Sequence, residues 1–191
     1  CDGQNPPAKG NGVAVYRECS RAEGVFTDGE LENGKLTLPD GRVLEGSFVA
    51  GRQTGMGKQT WPDGRRYEGM LVNGRSTGPG VYVTADGTRY SGMFHPGARL
   101  NGIGTRKSKD GTVLLGEFVD NKPSGKMVLV KPDGAAEKVE HPVLTPNRAY
   151  GENAPLPPRA QKSRTSEAGG FARIAEYVDG AVRWLKGLFG R

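Results

Sequence analysis

Residues 64–86 read GRRYEGMLVNGRSTGPGVYVTAD, and the same phrase is written again on both sides. Residues 41–63 give GRVLEGSFVAGRQTGMGKQTWPD, residues 87–110 give GTRYSGMFHPGARLNGIGTRKSKD, and residues 111–133 give GTVLLGEFVDNKPSGKMVLVKPD. Asp-Gly pairs mark every joint from Asp40-Gly41 to Asp133-Gly134, a period of 23 residues with one insertion in the third full copy. A degenerate copy precedes them, because Glu23-Gly24-Val25-Phe26 matches Glu45-Gly46-Ser47-Phe48. Self-similarity at such a period is the signature of a repeat architecture and outranks any local reading.

Within each unit the pattern is that of a β-hairpin: two short strands, a loop such as Val72-Asn73-Gly74 between them, and an Asp-Gly turn at the joint. Asn-Gly and Asp-Gly suit the positive φ values of tight hairpin turns. Hairpins pairing edge to edge give an all-β repeat, an elongated, twisted antiparallel sheet in which each unit contacts mainly its neighbours. Period-two alternation places Leu44, Gly46 and Phe48 on one face, in register with Tyr67, Gly69 and Leu71, with Tyr90, Gly92 and Phe94, and with Leu114, Gly116 and Phe118. Two apolar columns thus flank a column of glycines, and this face is expected to hold the main hydrophobic contacts. Arg66, Glu68, Met70, Arg89, Ser91 and Met93 fall on the other, more solvated face.

The composition agrees with a thin, turn-rich molecule: 31 Gly and 13 Pro among 191 residues, with 35% apolar, do not suit a thick core. The expected organisation is an N-terminal tether over 1–19, the hairpin array over 20–134, a Pro-rich linker over 135–170 and a C-terminal amphipathic helix over 171–191. The helix is read from Phe171, Ile174, Ala175, Val178, Val182, Leu185 and Phe189, which recur at helical spacing.

The Tyr-Glu-Gly at residues 67–69, the Gly-x-Gly pairs 55/57, 78/80 and 102/104 and the closing Asp-Gly resemble MORN repeats over about residues 23–134. Met127 in place of a second glycine and Asn121 in place of the mid-unit glycine depart from that pattern. The resemblance implies a non-catalytic module, since MORN arrays serve as protein-binding platforms, sometimes as dimerisation surfaces, and are associated with phospholipid headgroups.

The residues themselves offer no catalytic constellation. The only two histidines, His95 and His141, have neither metal-ligand nor triad spacing, and the Gly-x-Gly pairs lead into strands with no Gly-Lys-Ser/Thr following, so no catalytic residue, metal or cofactor is expected. A protein partner would use the variable second-strand aromatics Trp61 and Tyr82 together with Arg66 and Arg89, and whether the aromatics share a face with the two arginines is left open by the sequence. Inhibition of a cognate secreted effector, as an immunity protein would do it, is a specific form of this expectation. An anionic phospholipid surface would use Arg106, Lys107, Lys109, Arg183 and Lys186. The net charge of +6 permits an anionic partner, but basic residues interleaved with acids do not point to nucleic acid, and self-association stays open. A start at Cys1 followed by a polar tether resembles a processed bacterial lipoprotein, which implies a lipid-anchored, periplasm-facing envelope protein. Cys1 and Cys19 could instead close a disulfide in a soluble secreted or periplasmic chain.

Overall fold

The computed structural model describes residues 3–145. The expected lipid site Cys1, most of the linker and the whole of the C-terminal helix with Arg183 and Lys186 lie outside that range. Twelve strands occupy the described chain: β1 Lys9–Val15, β2 Arg21–Thr27, β3 Glu30–Thr37, β4 Val43–Val49, β5 Arg52–Thr60, β6 Arg66–Val72, β7 Arg75–Val83, β8 Arg89–His95, β9 Arg99–Lys107, β10 Val113–Val119, β11 Lys122–Val130 and β12 Ala136–His141. They form one open antiparallel sheet whose spatial order is the sequence order. The five units supply β2 to β11. The sheet runs one strand further at each end, so β1 lies within the expected tether and β12 within the expected linker.

Two turn types alternate along the chain. At the joints, Trp61 N–H donates to Arg65 O and Gly64 N–H to Trp61 O, with Gly64 at φ +89, which makes a three-residue loop of a type I turn followed by a left-handed glycine. Only the glycine takes positive φ there; the preceding aspartate has a different task, its carboxylate accepting the N–H two residues on. That bond recurs at Asp40, Asp63, Asp86, Asp110 and Asp133, at 2.9–3.1 Å. Except in the third full unit, mid-unit loops are tighter, two-residue turns with both residues left-handed, as at Asn73 and Gly74. Asn121 holds such a position at φ +67 in place of glycine.

Register aligns the glycines more extensively than one column per unit. Gly12, Gly24, Gly34, Gly46, Gly57, Gly69, Gly80, Gly92, Gly104 and Gly116 are partners in turn across ten neighbouring strands, and the row ends on Met127 of β11. The two glycines of each Gly-x-Gly serve different ends. Gly78, at φ +84, sits where the β6–β7 register shifts and forms a bulge. Gly80 lies flush in the row, where a Cβ would meet the Tyr67 hydroxyl at 2.5 Å.

The bulge of the β6–β7 hairpin folds its tip back over the glycine row. Gln59 pairs with Tyr67, and Gly74 lies seven residues beyond Tyr67, roughly 23 Å away in a straight strand. Gln59 Nε2 nevertheless donates to Gly74 O at 3.1 Å. A single sheet thereby encloses its own core. Two apolar clusters result, one around Phe26, Leu31 and Phe48, the other around Tyr67, Leu71, Phe94, Leu100, Leu114, Phe118 and Met127. Between them β5 contributes glutamines. Gln53, 2% exposed, donates to Glu45 O and Lys58 O and accepts from Gln59 Nε2 at 3.0 Å.

Candidate functional site

Cross-strand register sorts the expected site residues by face. Gln59, Tyr67, Tyr82, Tyr90, Arg106 and Leu114 are successive partners on the glycine-lined face. Trp61, two residues from Gln59 and paired with Arg65 at the joint, lies on that face as well, and Trp61 and Tyr82 both pack on the larger apolar cluster while staying partly exposed. Thr60, Arg66, Val83, Arg89 and Lys107 form the adjacent row on the outer face. The proposed protein-binding set is therefore divided: the aromatics stand together on one side of the sheet and the two arginines on the other.

The basic trio of the third full unit is divided too. Arg106 enters the glycine-lined face, with its Nε buried and without a hydrogen-bond partner among the described residues. Lys107 joins Arg66 and Arg89 outside, and Lys109 is exposed in the turn between β9 and β10. Arg89 and Lys107 are directly opposite each other, an arrangement in which like charges repel unless an anion lies over them.

On the glycine-lined face Trp61 and Tyr82 border a cleft of about 470 Å3, within the range of ligand sites. Its floor includes Tyr67, whose hydroxyl donates to Met70 O at 3.0 Å and whose ring meets Phe94 edge-on at 5.4 Å. Burial pushes the Tyr67 phenol well above its ordinary pKa, so it remains a neutral donor. Arg42, Arg65 and Arg75 stand around the walls. Arg65 lies over Trp61, 5.4 Å from the ring centroid, and its Nε donates to Asp63 at 2.6 Å. Hydrogen bonds to Asp63 and then to Tyr82 favour its charged form. Arg42 is oriented in the same way by Asp40 at 2.7 Å.

The fourth wall is the insertion. In the third full unit the mid-unit loop has three residues, Pro96, Gly97 and Ala98, between the paired His95 and Arg99. Ser76 Oγ ties this loop down, accepting from Ala98 N–H at 2.8 Å and donating to His95 O at 3.2 Å. The cleft thus depends on two departures from perfect repetition, the aromatic second-strand positions and the extra loop residue. Arg42, Arg65, Arg75 and residues 96–98 were not singled out by the sequence reading. Arg42 and Arg65 each directly follow an Asp-Gly, where later units have Thr88 and Thr112, and that variation was the available signal.

The family model of the MORN repeat matches residues 45–65, 67–89 and 115–136. The chain carries MORN repeats. Such repeats generally serve as protein- or membrane-binding modules. The matched segments frame residues 90–114, which hold most of the unit with the insertion. Among solved structures, the array is similar to the TCP domain of SAS-4 (dCPAP) from Drosophila melanogaster, in a complex with a proline-rich motif of Ana2, at 15% identity over 73% of this chain and 90% of that one, with a TM-score of 0.35. It is similar also to the wild-type TCP10 domain of Danio rerio CPAP, at 21% identity over 68% of this chain and 73% of that one, with a TM-score of 0.32. No curated protein matches the chain.

Proposed function

We propose that this MORN array is a non-catalytic protein-binding module whose recognition site is the cleft between Trp61 and Tyr82. The observation that carries the reading is the pair of partly exposed aromatics lining one concave site. Aromatic and arginine side chains in such a setting are the residue types that dominate binding energy, each contributing about 2 kcal/mol or more when buried by a partner. Capture of partners from the native host by wild-type protein and by a Trp61→Ala, Tyr82→Ala variant of unchanged melting temperature tests it. Loss of specific partners from the variant supports the module; equal recovery by both proteins rejects this site. A secreted effector held in check would be one such partner.

A second reading has its own support. Arg66, Arg89 and Lys107 present three exposed cations in one row across four strands of the outer face, a geometry suited to an anionic lipid surface. Cosedimentation with phosphatidylserine vesicles, abolished by alanine at these three positions and unaffected by Trp61→Ala, would establish it; absence of cosedimentation would remove it.

We further propose an extracytoplasmic location, which a disulfide at Cys19 favours. Lipidation of Cys1 would consume the only other thiol of the sequence. Intact mass of the protein from its native host separates an acylated chain from an oxidised one.

A further inference from the structure

The cleft has walls charged with one sign. Three of its lining residues are arginines and none is aspartate or glutamate. Asp40 and Asp63 orient Arg42 and Arg65 from the turns and stay outside the cleft. Arg75 has no ion pair among the described residues and is exposed at the start of β7. Asp40 and Asp63 already compensate Arg42 and Arg65, so Arg75 carries the uncompensated charge of the cleft, and a ligand bringing a carboxylate would pair with it while its apolar part covers Trp61 and Tyr82.

We propose that the cleft receives an acidic linear peptide segment of the partner, with an apolar side chain seated beside Trp61 and Tyr82 and flanking carboxylates on Arg65 and Arg75. Each part of the site fits this occupant. Arg65 is pre-positioned by Asp63 and by stacking on Trp61, so binding immobilises little additional side chain. Its planar guanidinium offers paired N–H donors that match a carboxylate. Arg75 supplies the uncompensated charge. The volume holds a few side chains and not a folded surface, which favours a linear segment. This proposal rests on the protein-binding reading of the same cleft.

The test uses the full chain and three fluorescent decapeptides with one Pro-Tyr-Pro centre, flanked by Asp and Glu, by Asn and Gln, or by Lys. Anisotropy titration should show the acidic peptide binding at least about tenfold more tightly than the uncharged one, with the difference shrinking as salt is raised. Arg75→Glu, at an exposed position, should remove most of that preference. Equal binding of acidic and uncharged peptides, or an acidic preference that survives Arg75→Glu, overturns the proposal. Failure of all three to bind also overturns it, including the case in which the chain's own C-terminal segment fills the cleft. The capture experiment reads separately: partners lost on Trp61→Ala, Tyr82→Ala with no acidic preference would leave the module standing with a partner of different chemistry.

Discussion

Tyr67 and Gly80 show at the scale of single residues how a one-layer sheet can have an interior. The phenol lies flat over Gly69 and Gly80, within 2.8 and 2.5 Å of where their Cβ atoms would stand. Gly80→Ala is expected to cost about 1–3 kcal/mol through overpacking, read as a lower urea midpoint. Tyr67→Phe keeps the packing but strips Met70 O of its donor and should cost about 1 kcal/mol. The facing of Trp61 was in principle countable from the sequence. A three-residue Pro62-Asp63-Gly64 loop makes Trp61 the partner of Arg65, and stepping back pairs Gln59 with Tyr67. A two-residue loop would have shifted every pairing and exchanged the faces, so the turn type had to be known first.

At the scale of the element, the joints are pH-sensitive. Hydrogen bonds from the backbone N–H of Arg42, Arg65 and Thr112 hold Asp40, Asp63 and Asp110 below their ordinary pKa, and at Asp86 the Thr84 hydroxyl is the larger cause, ahead of the Thr88 N–H. A depressed folded-state pKa means stability that is fully present above the ordinary carboxylate value and is lost as pH falls through it toward the folded-state values. Urea midpoints measured from pH 7 down to pH 2 should therefore fall on the acid side of about pH 4. A quadruple Asp→Asn variant at these positions should flatten that acid limb; an unchanged limb would mean that the turns do not carry it. The strands themselves were legible because glycine, Tyr/Leu and Phe recur at fixed offsets. The folding of the β6–β7 hairpin tip over the sheet was not, because it arises from the bulge, and the bulge glycine Gly78 looks in sequence like its flush neighbour Gly80.

Across the whole sheet, the interior among the described residues is two clusters separated by the Gln53–Gln59 pair and not one continuous core. Each strand is bonded only to its sequence neighbours, so local opening does not require global unfolding. Native-state hydrogen exchange should show β6 to β11 more protected than β2 to β4, with β1 and β12 exchanging fastest; one uniform protection level would contradict this division. The insertion at residues 96–98 lies beside the larger cluster, and with Trp61 and Tyr82 it converts a structural face into a concave one. The central claim is that partners meet this face and not the outer row of Arg66, Arg89 and Lys107. Site-specific photo-crosslinking tests it most directly, with benzoylphenylalanine placed at Tyr82 in one protein and at Arg89 in another, each exposed to the native host's extract. A discrete crosslinked protein from position 82 and none from position 89 is the expected result; adducts from position 89 alone would contradict it.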